Sequence, residues 1–338
     1  MLLCDQRHTL QPNKIAAFIE KNISLEKNSV WDSHGYANLI IEAASHLTYL
    51  ETVSSRGIPS ADVFQFHIKN KINNTETIHI NFLKLTEKHI KGLKNQKVIL
   101  IIDETDEPFY GNINNNPKWI HEYKPDKGCT GSFKFLCVSI LIGDKRYFID
   151  AIPLNLFYDM KKELEKIFDR IASYKMRIEV VLMDRGFSKS SEIINLLNER
   201  KLRYLMLYPE YKNVKKIVKE VEYCKRMPFE VKGIKTTLVI IRDEKYDWKF
   251  VTNLRFVDFV KYIKVYKKRW NIETGFRVAD EARIKTKSLD IKVRYFLFLV
   301  TLILYNIWYF LGKPVTFKRF VIRFFEILDG FMPSEMIT

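Results

Sequence analysis

Two short apolar runs, each closed by an aspartate, restrict the fold of this chain more than any other feature. Val98-Ile99-Leu100-Ile101-Ile102 leads into Asp103, and residues 178–183 lead into Asp184. A β-branched-rich run without polar alternation is a strand buried on both faces, and such strands belong to sheets covered by helices on either side. Residues 133–142 and 146–152 read as two more strands joined by a Gly143-Asp144-Lys145 turn. A helix follows over 159–173, with Met160, Leu164, Ile167, Phe168 and Ile171 on one face. After the second aspartate comes a helix over 189–200, capped by Ser188, and a fifth strand over 203–208. The order β-β-β-α-β-α-β defines an α/β layer with an antiparallel hairpin at its start.

The flanks follow other patterns. Residues 1–95 read as a helical domain, with apolar positions at helical spacing over 37–50. A Gly57-Ile58-Pro59-Ser60 break follows, and Ser60 caps a helix over 61–71. That unit is compatible with a helix-turn-helix DNA reader and equally with a plain helical hairpin. Residues 84–96 are polar and basic and read as a boundary. The α/β unit spans 96–210 and 253–315, interrupted over 211–252 by a basic, β-rich insertion with strands at 236–242 and 248–254. Residues 316–338 form a C-terminal tail.

Residues 295–311 are apolar enough to approach a membrane span. They carry Thr301, Tyr305 and Asn306 and end at Gly312 and Pro314, so a buried core helix is the better reading. Cys4, Cys129, Cys137 and Cys224 are scattered without a C-x2-C pair, which excludes a sequence-recognisable zinc or redox motif and suits a reducing cytoplasm. The first residues lack the apolar core of a signal peptide.

Charge supplies the partner. The chain has 338 residues, with 56 Lys and Arg against 40 Asp and Glu, a net +16. With 47% apolar residues it is too hydrophobic for a disordered basic tail, so the excess points to a folded protein that meets a polyanion, nucleic acid first. The excess is concentrated: eight basic residues against three acidic ones over 212–235, Lys215 and Lys216 among them, and nine against three over 261–287.

Two aspartates at the ends of buried strands converge if the strands are neighbours, and like charges in one site need a counter-charge. Hard oxygen donors suit Mg2+ or Mn2+. The third element is Tyr266 to Asp280. At about 100° per residue, Tyr266, Arg269, Glu273, Arg277 and Asp280 fall on one helical stripe of about 80°. The plain account is an exposed face with i,i+4 pairs such as Arg269–Glu273. However, Tyr262, Ile263, Trp270, Ile272 and Phe276 occupy other faces, and polar residues on a packed helix suggest a site. Two aspartates and a helical glutamate make a sensible two-metal phosphoryl-transfer site.

At this point the sequence resembles a known family, the DDE transposases of bacterial and archaeal insertion sequences. It is most similar to the subgroup with a β-strand insertion and a Y-x2-R-x3-E-x6-K signature. Asp103 stands in Ile-Ile-Asp-Glu-Thr-Asp-Glu-Pro-Phe-Tyr-Gly and Asp184 in Leu-Met-Asp-Arg-Gly-Phe. Tyr266, Arg269 and Glu273 match the third block, extended by Arg-Trp-x-Ile-Glu-Thr-x-Phe-Arg, and the likeness runs from Lys97 to Gly312. The resemblance implies an RNase H-like mixed sheet flanked by helices. It also implies cleavage of element ends and their joining to target DNA. Asp103, Asp184 and Glu273 would hold two Mg2+ (or Mn2+) ions, with Tyr266 and Arg269 contacting DNA near the cut. It further implies double-stranded DNA as partner, at terminal inverted repeats and target alike, a homodimer on that DNA, no membrane, and a cytoplasmic, nucleoid-associated location. The signature lysine is Asp280 here, with Arg277, Arg283 and Lys285 available as substitutes. That departure leaves a catalytically inactive, DNA-binding derivative as the alternative. Asp106 and Glu281 are rivals for the first and third acid.

Overall fold

The computed structural model describes residues 12–23, 25, 29–53, 57–126, 128–243 and 246–328. Cys4 and the N-terminal residues read for a signal peptide lie outside the described residues, as does 329–338 of the tail.

One sheet contains β1 (Lys97–Phe109), β2 (Ile120–Asp126), β3 (Cys129–Ile142), β4 (Lys145–Leu154), β5 (Arg177–Met183), β6 (Tyr204–Leu207), β7 (Cys224–Val231), β8 (Ile234–Arg242) and β9 (Asp247–Thr252). Its order is β2-β3-β1-β5-β6-β9-β8-β7, with β4 sharing the outer edge of β3 beside β2. β1, β5 and β6 are parallel, and antiparallel strands extend them on both sides. The mixed α/β architecture is the expected one. The strands of the insertion continue this sheet, because β9 pairs with β6.

Alternation along each strand feeds two cores. In β1, Ile99 and Ile101 enter one core while Val98, Leu100 and Ile102 enter the other, and in β5 Val180 and Leu182 part from Val181 and Met183 in the same way. The second core is covered by α5 (Met160–Ser173), α6 (Ser191–Glu199) and α7 (Lys212–Lys219). The first lies under α1 (Pro12–Asn22), α2 (Ser33–His46), α3 (Ala61–Lys71), α4 (Thr75–Ile90), α8 (Val260–Lys267), α9 (Trp270–Ala279), α10 (Ile291–Phe310) and α11 (Phe317–Leu328). Burial on both faces is why the strand sequences are unbroken apolar runs. The N-terminal helices therefore share a core with the helices that follow the insertion.

The apolar helix α10 sits at the centre of that core. Its polar side chains are partnered. Asn306 bonds both the N–H and the carbonyl of Phe148 (2.9 and 2.7 Å), Tyr305 accepts from Arg146 Nε (2.8 Å), and Thr301 donates to the Leu297 carbonyl (3.2 Å). In α3, Ser60 supplies the expected cap, accepting from the Val63 N–H, while Phe64 and Ile68 are buried.

Several readings change. The strand that carries Asp103 does not end there. Its parallel pairing with β5 stops at Ile102–Met183, but its antiparallel pairing with β3 continues to Phe109. Residues 84–96 are helical as far as Ile90, because Leu85, Thr86 and Ile90 are buried. Ser188 donates to the Arg185 carbonyl (2.9 Å), and Ser190 caps α6 instead. The basic stretch 212–235 holds α7 and the mostly exposed β7, whose polar positions hid the strand period. The start of the tail is helical, with Phe317, Phe320, Val321 and Phe324 buried.

Candidate active site

The register of the sheet brings the two aspartates together. Ile102 pairs with Met183 between parallel β1 and β5, so Asp103 and Asp184 leave adjacent strands at the same level. By alternation both point to the first core, with Ile99 and Ile101 and with Val180 and Leu182. Across that face run α8 and α9. They were expected to be one helix, but α8 ends at Lys267 and α9 begins at Trp270. Lys268 and Arg269 keep right-handed helical backbone, tightened by i to i+3 bonds: Arg269 N–H to the Tyr266 carbonyl (2.8 Å) and Ile272 N–H to the Arg269 carbonyl (2.9 Å). Arg269 sits at this 3-10 step.

Its guanidinium joins all three acids. Nη1 donates to Asp103 Oδ2 at 2.9 Å, Nη2 donates to Glu273 Oε1 at 2.7 Å, and Nη2 lies 3.9 Å from Asp184 Oδ1. Arg269 is 5% exposed, and its Nε has no hydrogen-bond partner among the described residues. Burial pushes the Asp103 carboxyl up to about 7; Arg269 opposes the rise, while Asp184 and Glu273 add to it. Burial would lower the Arg269 pKa, but Tyr266, Asp103 and Glu273 outweigh it and hold the proton more firmly. Tyr266 is buried against Phe250 and Trp248, and the guanidinium lies 5.5 Å from its ring centre. Burial raises its phenol. Tyr266 thus backs Arg269 from the core side.

Three carboxylates around one arginine, when all are ionised, leave two negative charges unbalanced, and the donors are hard oxygens. That chemistry fits divalent cations. Among the described residues no three acidic, His or Cys side chains stand close enough together to hold an ion as arranged. The Arg269 guanidinium lies between them instead. A cavity of about 420 Å3 opens beside Asp103 and Asp184, lined also by Glu104, Tyr158, Met160, Phe187 and Ile193.

The profile of the Transposase DDE domain family matches residues 94–307, which include all three acids. The chain belongs to this transposase family. The fold of the transposase is similar to that of a piggyBac transposase, solved by electron cryo-microscopy as a synaptic complex with hairpin DNA. Identity is 13% and the TM-score 0.60, over 97% of this chain and 79% of that one. The likeness shows an RNase H-like fold. A NurA nuclease from Sulfolobus solfataricus aligns at 12% identity over 62% of this chain and 86% of its own, with a TM-score of 0.30, too low to bear on the argument. No curated protein matches the sequence. Enzymes of this family generally use divalent metal ions.

The remaining residues of this transposase separate into groups. Asp280 leaves the acid stripe: α9 ends at Ala279, and Asp280 enters a 3-10 turn where it pairs with Arg283 at 2.8 Å. Arg283 also donates to the Asp106 carbonyl (3.3 Å). Arg277 and Lys285 are exposed and make no ion pair among the described residues. Lys215 and Lys216 are exposed on α7, whose Val214 and Val218 pack on the opposite face of the sheet from the acids. Of the rival acids, Asp106 points to the other face of β1 with Glu104, where Lys134 lies within 3.7 Å of both. Glu281 is exposed in the 3-10 turn. The contact that sequence reasoning missed is Arg269–Asp103. The Arg269–Glu273 half was visible as an i,i+4 pair, but nothing local signals a partner 166 residues away.

Proposed function

We propose that this transposase cuts the phosphodiester bonds at the terminal inverted repeats of its element and joins the freed 3′-hydroxyl ends to target DNA, with Asp103, Asp184 and Glu273 as ligands of two Mg2+ or Mn2+ ions. The observation that supports it most directly is the convergence of those three acids on one guanidinium. When bound, the ions supply Lewis-acid stabilisation of the departing oxygen and a water or hydroxyl made nucleophilic at neutral pH. The chain's own groups do the rest. Arg269 offsets the acids' charge at rest and, once released from Asp103 and Glu273, offers a phosphate the planar fork that suits bidentate binding. Tyr266 positions that fork. Arg277 in the last turn of α9, with Arg283 and Lys285 beyond it, serves as a phosphate-backbone contact, with Lys215 and Lys216 contributing from the other face. The N-terminal helices read the element end. Holding two ends at once calls for a homodimer on DNA, acting on the nucleoid in the cytoplasm.

Purified protein is expected to nick DNA carrying its own terminal repeats only with Mg2+ or Mn2+. Asp184→Ala or Glu273→Ala is expected to slow nicking by several orders of magnitude while leaving gel-shift binding largely intact, since electrostatic stabilisation dominates phosphoryl transfer. Cleavage that survives either substitution overturns the assignment. The inert alternative rests on Asp280 in the lysine position. Its charge is cancelled locally by Arg283 at 2.8 Å, which favours the active reading. Binding without nicking at any metal concentration would identify the inert form.

A further inference from the structure

A second cleft lies farther along β1, on the face that carries the acids. It encloses about 670 Å3, within the roughly 300–1,000 Å3 of small-molecule sites. Three stretches meet there: Tyr49 after α2, the Glu107–Gly111 end of β1, and residues 280–289 beyond α9. Glu51 ties the first of these to the third. Its Oε1 accepts from Gln65 Nε2 (2.7 Å), Thr286 Oγ1 (2.5 Å) and the Lys287 N–H (2.9 Å), and the Leu50 N–H donates to the Lys285 carbonyl (2.8 Å). A segment of the N-terminal region is thereby anchored to the stretch beyond α9.

The lining combines two chemistries. Tyr49 and Tyr110 are 38% and 61% exposed, so their rings are available for stacking. Gly111 lets the turn close over Phe109, whose ring a Cβ would meet at 2.6 Å. Two charge pairs cancel: Arg283 with Asp280, and Arg294 with Glu107. Lys285 and Lys287 make no ion pair among the described residues, and Lys287 Nζ lies 5.8 Å from the Tyr49 ring centre. Exposed rings beside two unpaired ammonium groups suit a ligand with a flat base and an anionic link. A paired duplex keeps its base faces stacked inside and leaves the tyrosines nothing to stack on.

Position defines which nucleotide. The β1-side lining of the cleft begins at Glu107, four residues past Asp103, and reaches Tyr110, seven residues past it, about 13 to 23 Å along an extended chain. At about 3.4 Å per stacked nucleotide, that is about four to seven nucleotides. We infer that this cleft binds one unpaired nucleotide of the DNA strand, about four to seven positions from the bond being cut, its base against Tyr49 and Tyr110 and its phosphates on Lys285 and Lys287. The position, though not the pocket, rests on the cutting role of Asp103, Asp184 and Glu273. An element end must open locally to be held there, and the reading of that base is sequence-tolerant.

The test uses the full chain and two short duplexes of arbitrary sequence, one with flush ends and one opened by terminal mismatches that include a fluorescent adenine analogue. Wild type is expected to bind the opened duplex more tightly and to quench the analogue. Tyr49→Ala and Tyr110→Ala should each weaken the opened complex by about 5- to 150-fold, the worth of one base–aromatic stack, and leave the flush complex unchanged. Tyr49→Phe and Tyr110→Phe, which keep the ring, should behave as wild type. Lys285→Gln with Lys287→Gln should reduce the slope of log affinity against log salt by about two on the opened duplex. Equal affinity for both duplexes, or equal losses on both in the alanine variants, overturns the inference. Asp184→Ala is expected to keep the preference for open ends. If wild type shows no metal-dependent nicking while the tyrosine-dependent preference holds, the cutting role fails and the pocket stands.

Discussion

Replacing Arg269 by glutamine removes the one charge that lets three carboxylates share the site, and its cost follows from the geometry. The change deletes a cation 2.9 Å from Asp103, 2.7 Å from Glu273 and 3.9 Å from Asp184. These losses are unequal. The Glu273 side chain is 52% exposed, and an exposed i,i+4 pair is worth about 0.3–0.5 kcal/mol. Asp184 is farther away and 37% exposed, so it adds no more. Asp103 and Arg269 are 13% and 6% exposed, and stripping one partner from a buried pair costs about 3–5 kcal/mol because an uncompensated charge remains. Asp103 has one relief, protonation. An acid whose folded pKa exceeds its unfolded value binds more protons when folded, so its contribution to stability falls as pH rises from about 4 toward about 7. Losing Arg269 raises that carboxyl further and prolongs the fall. Arg269→Gln is therefore expected to destabilise by about 3–5 kcal/mol above neutrality and by less in acid. Mg2+ should close part of the gap, since a ligand at about a hundred times its Kd stabilises by about 2.7 kcal/mol. Urea unfolding followed by tryptophan fluorescence, across pH and with or without Mg2+, measures all of this. A loss that is the same at every pH and indifferent to Mg2+ would refute the reasoning, because it would mean that Arg269 acts through packing alone.

Two further outcomes test the frame around the site. Gly275→Ala in α9 gains up to about 1 kcal/mol of helix propensity, but its Cβ meets the Phe148 ring at 3.0 Å and the Arg146 guanidinium at 3.2 Å. Overpacking of about 1–3 kcal/mol should win, so a raised Tm would contradict the close approach of Gly275 to Phe148 and Arg146. His79 is buried with Asp150 at 2.6 Å, and Asp150 also pairs with Arg170 at 2.7 Å. Burial would lower the imidazole, but hydrogen bonds to Asp150 and Glu76 outweigh it and raise it. Its stabilisation is then full below the unfolded pKa of about 6.5 and lost as pH rises through the higher folded value. His79→Gln should abolish that pH dependence, and unfolding curves parallel to wild type across the window would count against it.

Legibility followed the range of the interaction. Strands β1, β3, β4, β5 and β6, the Ser60 cap and the helix over Ala61–Lys71 were readable because burial on both faces and capping act over a few residues, whereas β2 was missed. The polar β7 was not, since its residues are mostly exposed and lack an apolar period. Neither was the extension of β1, which depends on pairing with β3.

By itself, the sequence determined which side chains are available: two aspartates after buried runs, Glu273 four residues after Arg269, and an excess of positive charge. Tertiary structure alone decided their relations. Parallel pairing of β1 with β5 set Asp103 level with Asp184, and the 3-10 step before α9 aimed Arg269 at both. The end of α9 at Ala279 separated Asp280 from the stripe, and the 3-10 turn that follows gave it to Arg283. The folding of residues 280–289 against Tyr49 formed a cleft from segments that share no local pattern. The physical reason is reach: helix and strand periods are short-range properties of the chain, whereas a carboxylate's counter-charge is chosen by whatever long-range packing brings within about 3 Å.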